Sequence, residues 1–396
     1  MPIRLDGSTG ITVGTAVTVG TSDVKIGSNV NIDTTRIVGV STIGVTTAYV
    51  TSINDGPISG FRNRIINGDM RVDQRNAGAS ISVTGDGFAN RGFPVDRFTI
   101  QKSSSCTLTG IQTSDVPTGQ GFSYAIRVGV SSADASIGAG DNAHIGHRLE
   151  GYNVADLDYG LSSAKTITVS FWVKSSIAGT YGFGLSNYAD NRSIPREYTI
   201  NSPSTWEYKT ITIAGDTTGT WEKTNSGGLN MIWSYGAGTD YQGTNNTWGT
   251  GVKFSTSSQT QLISTLNATF FLTGVQLEVG PVASPFERRP YNQELALCQR
   301  YYQKYDYLNF RSADPGSSQT YMACSLVFSS NMRIAPNVTY RSPNNNTSGN
   351  LEEWGGTDRA VTSSTVSTTG LQYAVLTSGI TSNKILQSNC TFSAEL

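Results

Sequence analysis

Residues 233–254 gather Trp233, Tyr235, Asp240, Tyr241, Gln242, Asn245, Asn246, Trp248 and Phe254 in a stretch rich in Gly, Thr and Asn. Residues 181–192 add Tyr181, Asn187, Tyr188, Asp190, Asn191 and Arg192. Aromatic faces stack on CH-rich sugar rings, and Asn, Asp and Gln side chains read hydroxyls. Together the two stretches hold the side-chain types of a saccharide surface. The candidate contacts are Trp233, Tyr235, Asp240, Tyr241, Asn245, Asn246, Trp248, Tyr188 and Asn191. Trp248 sits in so polar a stretch that it reads as a loop ring rather than strand core. The competing use of such rings is to lock loops or to pack between subunits.

Catalytic patterns are scarce. Polysaccharide hydrolysis needs two carboxylates roughly 5–10 Å apart, and the Asp and Glu residues here are scattered without a paired motif. His144-Ile145-Gly146-His147 contains both histidines of the chain. On a strand their imidazoles face opposite ways, which makes a poor metal clamp. GxSxG, HExxH and P-loop patterns do not occur. No catalytic residue is therefore assigned, and the expectation is that the chain is not an enzyme. Asp141, Asp156 and Asp158 offer carboxylates for a structural Ca²⁺, but their spacing is unlike a calcium loop. No metal ligand and no other cofactor is assigned. Cys106, Cys298, Cys324 and Cys390 are far apart with no CxxC, so they read as buried thiols in a reducing compartment.

Composition narrows the class of element that must carry these side chains. The chain has 396 residues with 28 Lys+Arg against 29 Asp+Glu, a net charge of −1. Charged residues are 14%, against roughly 25% in an average domain. That balance gives no electrostatic footprint for nucleic acid or an anionic membrane. No run approaches the roughly 20 apolar residues of a membrane helix. The start, Met1-Pro2-Ile3-Arg4-Leu5-Asp6, lacks the apolar region of a secretory signal. Low charge, 43 Gly and 10% aromatics describe hydrogen-bonded β structure.

Four regions follow. Residues 1–60 repeat short apolar units such as Ile11-Thr12-Val13, Val17-Thr18-Val19 and Val24-Lys25-Ile26, with Gly14, Gly20 and Gly27 beside them. A unit that short cannot bury its apolar face alone, so it must stack on neighbours or on other chains. An N-terminal segment intertwined across a homotrimer is the expectation. Residues 61–289 read as a jelly-roll β-sandwich. Its clearest strand is Thr166–Lys174, with Ile167, Val169, Phe171 and Val173 on one face. Residues 290–306 read as one connecting helix, with Leu295, Cys298 and Tyr302 on its apolar stripe. Residues 307–396 read as a small β domain. The fold class is thus all-β: a short-strand repeat, a central sandwich, one short helix and a C-terminal β domain.

Several runs resemble a module of tailed-phage fibre and appendage proteins, familiar from phages of marine bacteria and cyanobacteria. They are Asn63–Arg75, Val95–Phe98, Ser170–Ser175, Gly274–Gly280, Ser284–Tyr291 and Glu294–Tyr302. The stretch from Gln276 to Tyr302 is the most specific part. The central module is similar to carbohydrate-binding jelly rolls. The resemblance implies a virion protein, assembled in the host cytoplasm and displayed as a tail-fibre or spike subunit. Residues 1–60 would attach it to other virion proteins, and the sandwich would meet a host-surface glycan. A capsid or tail decoration without glycan binding is the alternative, and a polysaccharide depolymerase a further one. Locally, Glu287 is expected to pair with a nearby arginine, and Phe286 to plug the space between domains.

Overall fold

A computed structural model describes residues 62–312, 319–353, 356–380 and 384–396. The repeat expected over residues 1–60 lies outside the described residues, and with it the proposed trimer segment.

The sandwich is built from thirteen strands. In chain order they are β1 (Ile81–Val83), β2 (Gly92–Val95), β3 (Phe98–Ser103), β4 (Thr107–Thr113), β5 (Ala125–Ser132) and β6 (Asn142–Glu150). Then come β7 (Ile167–Ser175), β8 (Gly179–Asn187), β9 (Arg192–Ile200), β10 (Glu207–Ile213), β11 (Gly227–Ala237), β12 (Gly249–Thr250) and β13 (Thr269–Val279). One sheet has the order β1-β4-β5-β13-β7-β10, the other β12-β9-β8-β11-β6-β3-β2. Every named pairing is antiparallel. The two inner faces meet in one core. Phe171, Phe183 and Trp233 pack at its centre, with Trp233 5.9 Å from Phe171 and 5.2 Å from Phe183.

Strand β7 buries the face that its alternation assigns to the core: Ile167, Val169, Phe171 and Val173. Its other face is also covered, which alternation alone does not predict. Thr168 donates to the Gly280 carbonyl at 2.7 Å, and Lys174 pairs with Asp115. The chain leaving β13 folds back over this sheet. Gln276 and Glu278 hold it there, with Glu278 accepting from the Ser284 backbone N–H (2.8 Å) and hydroxyl (2.6 Å).

The helix α1 is shorter than its sequence pattern, running Tyr291–Gln299. Tyr302 was expected on its apolar stripe and instead opens a strand, because its backbone pairs with Ser393 at the far end of the chain. Strands β14 (Tyr302–Ser312), β15 (Gln319–Val327), β16 (Asn337–Arg341), β17 (Asn350–Glu353), β18 (Thr357–Val366), β19 (Gly370–Ile380) and β20 (Ile385–Ser393) form the third sheet. Its order is β14-β15-β19-β18-β17-β20-β16, and β14 also pairs with β20, closing a barrel. Phe310, Met322, Leu351, Leu386, Cys390 and Phe392 fill it.

Sandwich and barrel meet at a junction built by the runs that carry the phage-fibre resemblance. Asn67 receives the Val72 N–H and donates to the Val72 and Asp96 carbonyls, while its own N–H reaches Glu294 at 2.5 Å. Arg289 pairs with Glu294 and donates to the Ile65 carbonyl. Glu287, expected to meet an arginine, instead accepts the Asn63 N–H at 2.6 Å. Phe286 likewise lies on Phe122 of the sandwich, ring centroids 5.1 Å apart, rather than between the domains. Across the junction Glu395 pairs with both Arg75 and Arg97, and Asp96 with Arg75. Glu150 accepts two bonds from Arg300 and one from the Tyr301 hydroxyl.

Candidate saccharide groove

Alternation on β3, β6 and β11 sends one set of side chains inward and the other to the outer face of the seven-stranded sheet. Ile100, Ile145 and Trp233 go inward and are fully buried. Thr99 and Gln101, Asn142, His144 and Arg148, and Asn230 and Ile232 go outward. These outward residues floor a groove of about 330 Å³. One wall is Phe88 and Arg91 from the segment before β2 with Phe93 of β2, and the other is Tyr241, Val252 and Phe254. Arg97, Glu395 and Leu396 line it as well, so the groove reaches the junction.

The second wall lies flat on the sheet because β8 lacks side chains beneath it. A Cβ on Gly184 would stand 2.3 Å from the Phe254 Cβ, and one on Gly182 2.5 Å from the Phe254 carbonyl oxygen. The wall is aromatic: Tyr241 and Phe254 stack with centroids 5.0 Å apart, and His144 lies 5.4 Å from Phe254.

The floor carries polar atoms without partners. Asn142 and Asn230 each bury a bare Oδ1, and His144 a bare Nδ1. The Asn230 amide is oriented by three acceptors: the Ser186 hydroxyl, the Asn187 carbonyl and an Asp190 carboxylate oxygen, at 3.2, 3.2 and 3.1 Å. A bare buried polar atom costs roughly 1–3 kcal/mol. Burial pushes His144 down to about 3, with Arg148 adding to the effect, so the ring is neutral at neutral pH. A neutral imidazole has one donor and one acceptor nitrogen, matching the two capacities of a hydroxyl.

Two guanidinium groups share one ring. Arg91 lies 3.5 Å and Arg148 4.1 Å from the Phe88 centroid, and Arg148 is also 5.5 Å from the Tyr188 centroid. Arg91 donates to the Phe88 and Leu396 carbonyls. Among the described residues no Asp or Glu side chain forms an ion pair with either guanidinium, although the Leu396 oxygen lies 3.1 Å from Arg91 and Glu395 acts on Arg91 at longer range. Burial, and then the neighbouring Arg148, pulls Arg91 down to about 10.

Of the nine residues read from sequence, Tyr241 lines the groove. Tyr188 stands exposed at its margin, over Arg148. Trp233 and Tyr235 are corrections: both are fully buried between the sheets and present no face to a ligand. They alternate with Asn230, Ile232 and Ser234 along β11, and period two puts them on the core side. Trp248 is half-buried, donates to the Ala214 carbonyl at 2.9 Å, and meets Trp221 and Tyr159 edge-on. It locks a loop. Asn245 accepts the Glu197 N–H, and Asn191 accepts from Asn187. Asn246 takes a left-handed turn position at φ 59°, and Asp240 is exposed beside the groove wall. Phe88, Arg91, Asn142, His144, Arg148 and Asn230 were not among the candidate contacts. The signal was present at β6, where Asn142, His144 and Arg148 share one strand face.

The candidate calcium carboxylates are committed elsewhere. Asp156 pairs with Arg64, Asp158 accepts from Ser163, and Asp141 accepts the Gly138 N–H. Among the described residues no three His, Cys, Asp or Glu side chains group as a metal site. All four cysteines are free and buried.

No family model matches the chain, and no curated protein matches its sequence. Among solved structures, the enzymatically active domain of bacteriophage CBA120 tailspike protein 4 aligns at 12% identity and TM-score 0.29. That alignment covers 55% of this chain and 21% of the tailspike chain. A family 11 carbohydrate-binding module from Clostridium thermocellum, in complex with a β-1,3-1,4-mixed-linked tetrasaccharide, aligns at 13% identity and TM-score 0.26. It covers 51% of this chain and 98% of the module. The CBM22-1–GH10 modules of xylanase 10B from the same organism, complexed with xylohexaose, align at 13% identity and TM-score 0.24, covering 52% and 30%. This chain spans about a fifth of the tailspike chain's length. Likenesses this distant say nothing of what the chain binds.

Proposed function

We propose that this chain is a saccharide-binding protein of a tailed-phage fibre or spike, with its binding site in the groove of the seven-stranded sheet. The observation that carries the binding site is the pairing of an aromatic wall with bare polar atoms on the floor. Tyr241 offers a ring backed by the buried Phe254, and Asn142, His144 and Asn230 lack the partners that sugar hydroxyls would provide. The virion assignment rests on the sequence runs that form the junction. On this reading the module works by avidity: weak sites on a homotrimer, multiplied over several fibres.

Binding without turnover fits the groove's acids. Its two acidic lining residues are Asp190 and Glu395. Asp190 accepts from Ser186 and Asn230, and Glu395 is held by Arg75 and Arg97. Glu395 is thereby committed to an ion pair, and Asp190 helps to orient the Asn230 amide.

A glycan array probed with the full chain tests the reading, followed by calorimetry on the hits. Tyr241→Ala should weaken binding roughly tenfold, the scale of one lost stacking contact. Binding unchanged by Tyr241→Ala would move the site elsewhere. Intact mass in solution tests the trimer, which a stable monomer would remove. Immunolabelled virions locate the chain.

A further inference from the structure

The proposed groove has aromatic walls and a polar floor, and its acids, Asp190 and Glu395, do not pair with all of its arginines. Three arginines line it, and only Arg97 has a counter-ion, Glu395. Arg91 and Arg148 share the Phe88 ring; neither pairs with an Asp or Glu side chain, and the nearest acceptor of Arg91 is the Leu396 oxygen at 3.1 Å. Asp190 acts on Arg148 electrostatically without forming an ion pair, and its Oδ1 accepts from Ser186 and Asn230. Side by side, two cations repel, and partial burial denies them full hydration. The arrangement persists at a cost unless something negative arrives near them.

We infer that the saccharide recognised in this groove is anionic, and that its acidic group is bound by Arg91 and Arg148 above the Phe88 ring. The inference rests on the groove being the saccharide site. Guanidinium forks match carboxylate and sulfate geometry and form charge-assisted bonds about twice as strong as neutral ones. Phe88 holds both guanidinium planes before the ligand comes, which reduces the side-chain freedom lost on binding. The bare Asn142, His144 and Asn230 atoms remain for neutral hydroxyls of the same ligand. The acidic group is either a uronic-acid carboxylate or a sulfate ester; both present anionic oxygens to a guanidinium, two in a plane or three on a tetrahedron.

Calorimetry with three oligosaccharides on the full chain separates these outcomes. The probes are an oligogalacturonate, its neutral methyl ester, and a sulfated carrageenan oligosaccharide. Preference for the oligogalacturonate over its ester supports a carboxylate source. Preference for carrageenan supports a sulfate. Either acidic ligand should weaken at high salt and lose about tenfold or more in affinity on Arg148→Met. The salt series on the unmodified chain, with Arg91→Gln as a second variant, covers misfolding of Arg148→Met. If the ester binds as tightly as the acid, carrageenan binds no better, and salt has no effect, the acidic ligand is refuted while the groove stands. If none of the three binds and no neutral glycan is captured on the array, both readings fall.

Discussion

The junction and the groove use the same device, an arginine laid on an aromatic ring, and differ in what faces it. At the junction Arg97 lies 3.5 Å from the Tyr301 centroid and Arg75 3.7 Å from Tyr302. Both are neutralised, Arg97 by Glu395 and Arg75 by Glu395 and Asp96. In the groove Arg91 and Arg148 share Phe88 at 3.5 and 4.1 Å with no such partner. One arrangement is complete in the folded chain; the other is complete only with a ligand. The difference teaches that a stacked arginine says little by itself, and that its counter-ion distinguishes an assembly contact from a binding contact.

The largest expected effect comes from the complete side. Glu395→Gln leaves Arg97 buried without its charge partner, and breaking a buried pair costs about 3–5 kcal/mol. Urea unfolding measures it, and a loss below about 1 kcal/mol would erase the contrast. Next, Trp248→Ala should cost about 2 kcal/mol by opening the packing against Tyr159 and Trp221. Saccharide affinity should stay within about twofold. A tenfold loss of affinity would return Trp248 to the site.

Acid should act through the groove. His144 is held at about 3 by burial, below its ordinary 6.5, so it adds stability above pH 6.5 that is lost as pH falls toward 3. Its slope across that window is about 1.4 kcal/mol per pH unit at most. His147 is lowered too, first by burial and then by Arg97, and works in the same direction. His144→Gln should shallow the acid limb of the unfolding midpoint without abolishing it. Asp96 works in the opposite sense, because burial raises it to about 6 against the pull of Arg75, so acid favours its folded form. The smallest effect is expected from Arg148→Met, under about 1 kcal/mol in stability, since only its ring contacts are lost. A large destabilisation there would make the groove a second structural joint.

The sandwich was legible where one face of a strand is apolar. The alternation of Ile167, Val169, Phe171 and Val173 located β7. Strand β14 was not legible. Its pairing with β20 is interrupted between Tyr305 and Leu308, where Tyr307 turns to φ 55°, so its exposure does not alternate. The junction runs could be read as distinctive but not as a joint. Their contacts join residues such as Asn67 with Glu294 and Arg97 with Glu395, hundreds of positions apart.

The site was legible in its aromatic character and not in its position. Tyr241 was found because it sits in a loop among polar residues. Trp233 and Tyr235 were misplaced because both belong to β11, Gly227–Ala237, whose alternation turns them to the core. The groove floor comes from β3, β6 and β11, three strands distant in sequence and adjacent only once β6 lies between the other two.

Gly184 gives the groove a dial that touches no ligand. Its missing methyl lets Phe254 rest on β8. Replacing it with alanine would lift the aromatic wall and narrow or tilt the cleft while leaving every polar contact in place. The shape of the groove would then change without any change to the residues that line its floor: one carbon, added underneath the wall, at a position a comparison of lining residues alone would overlook.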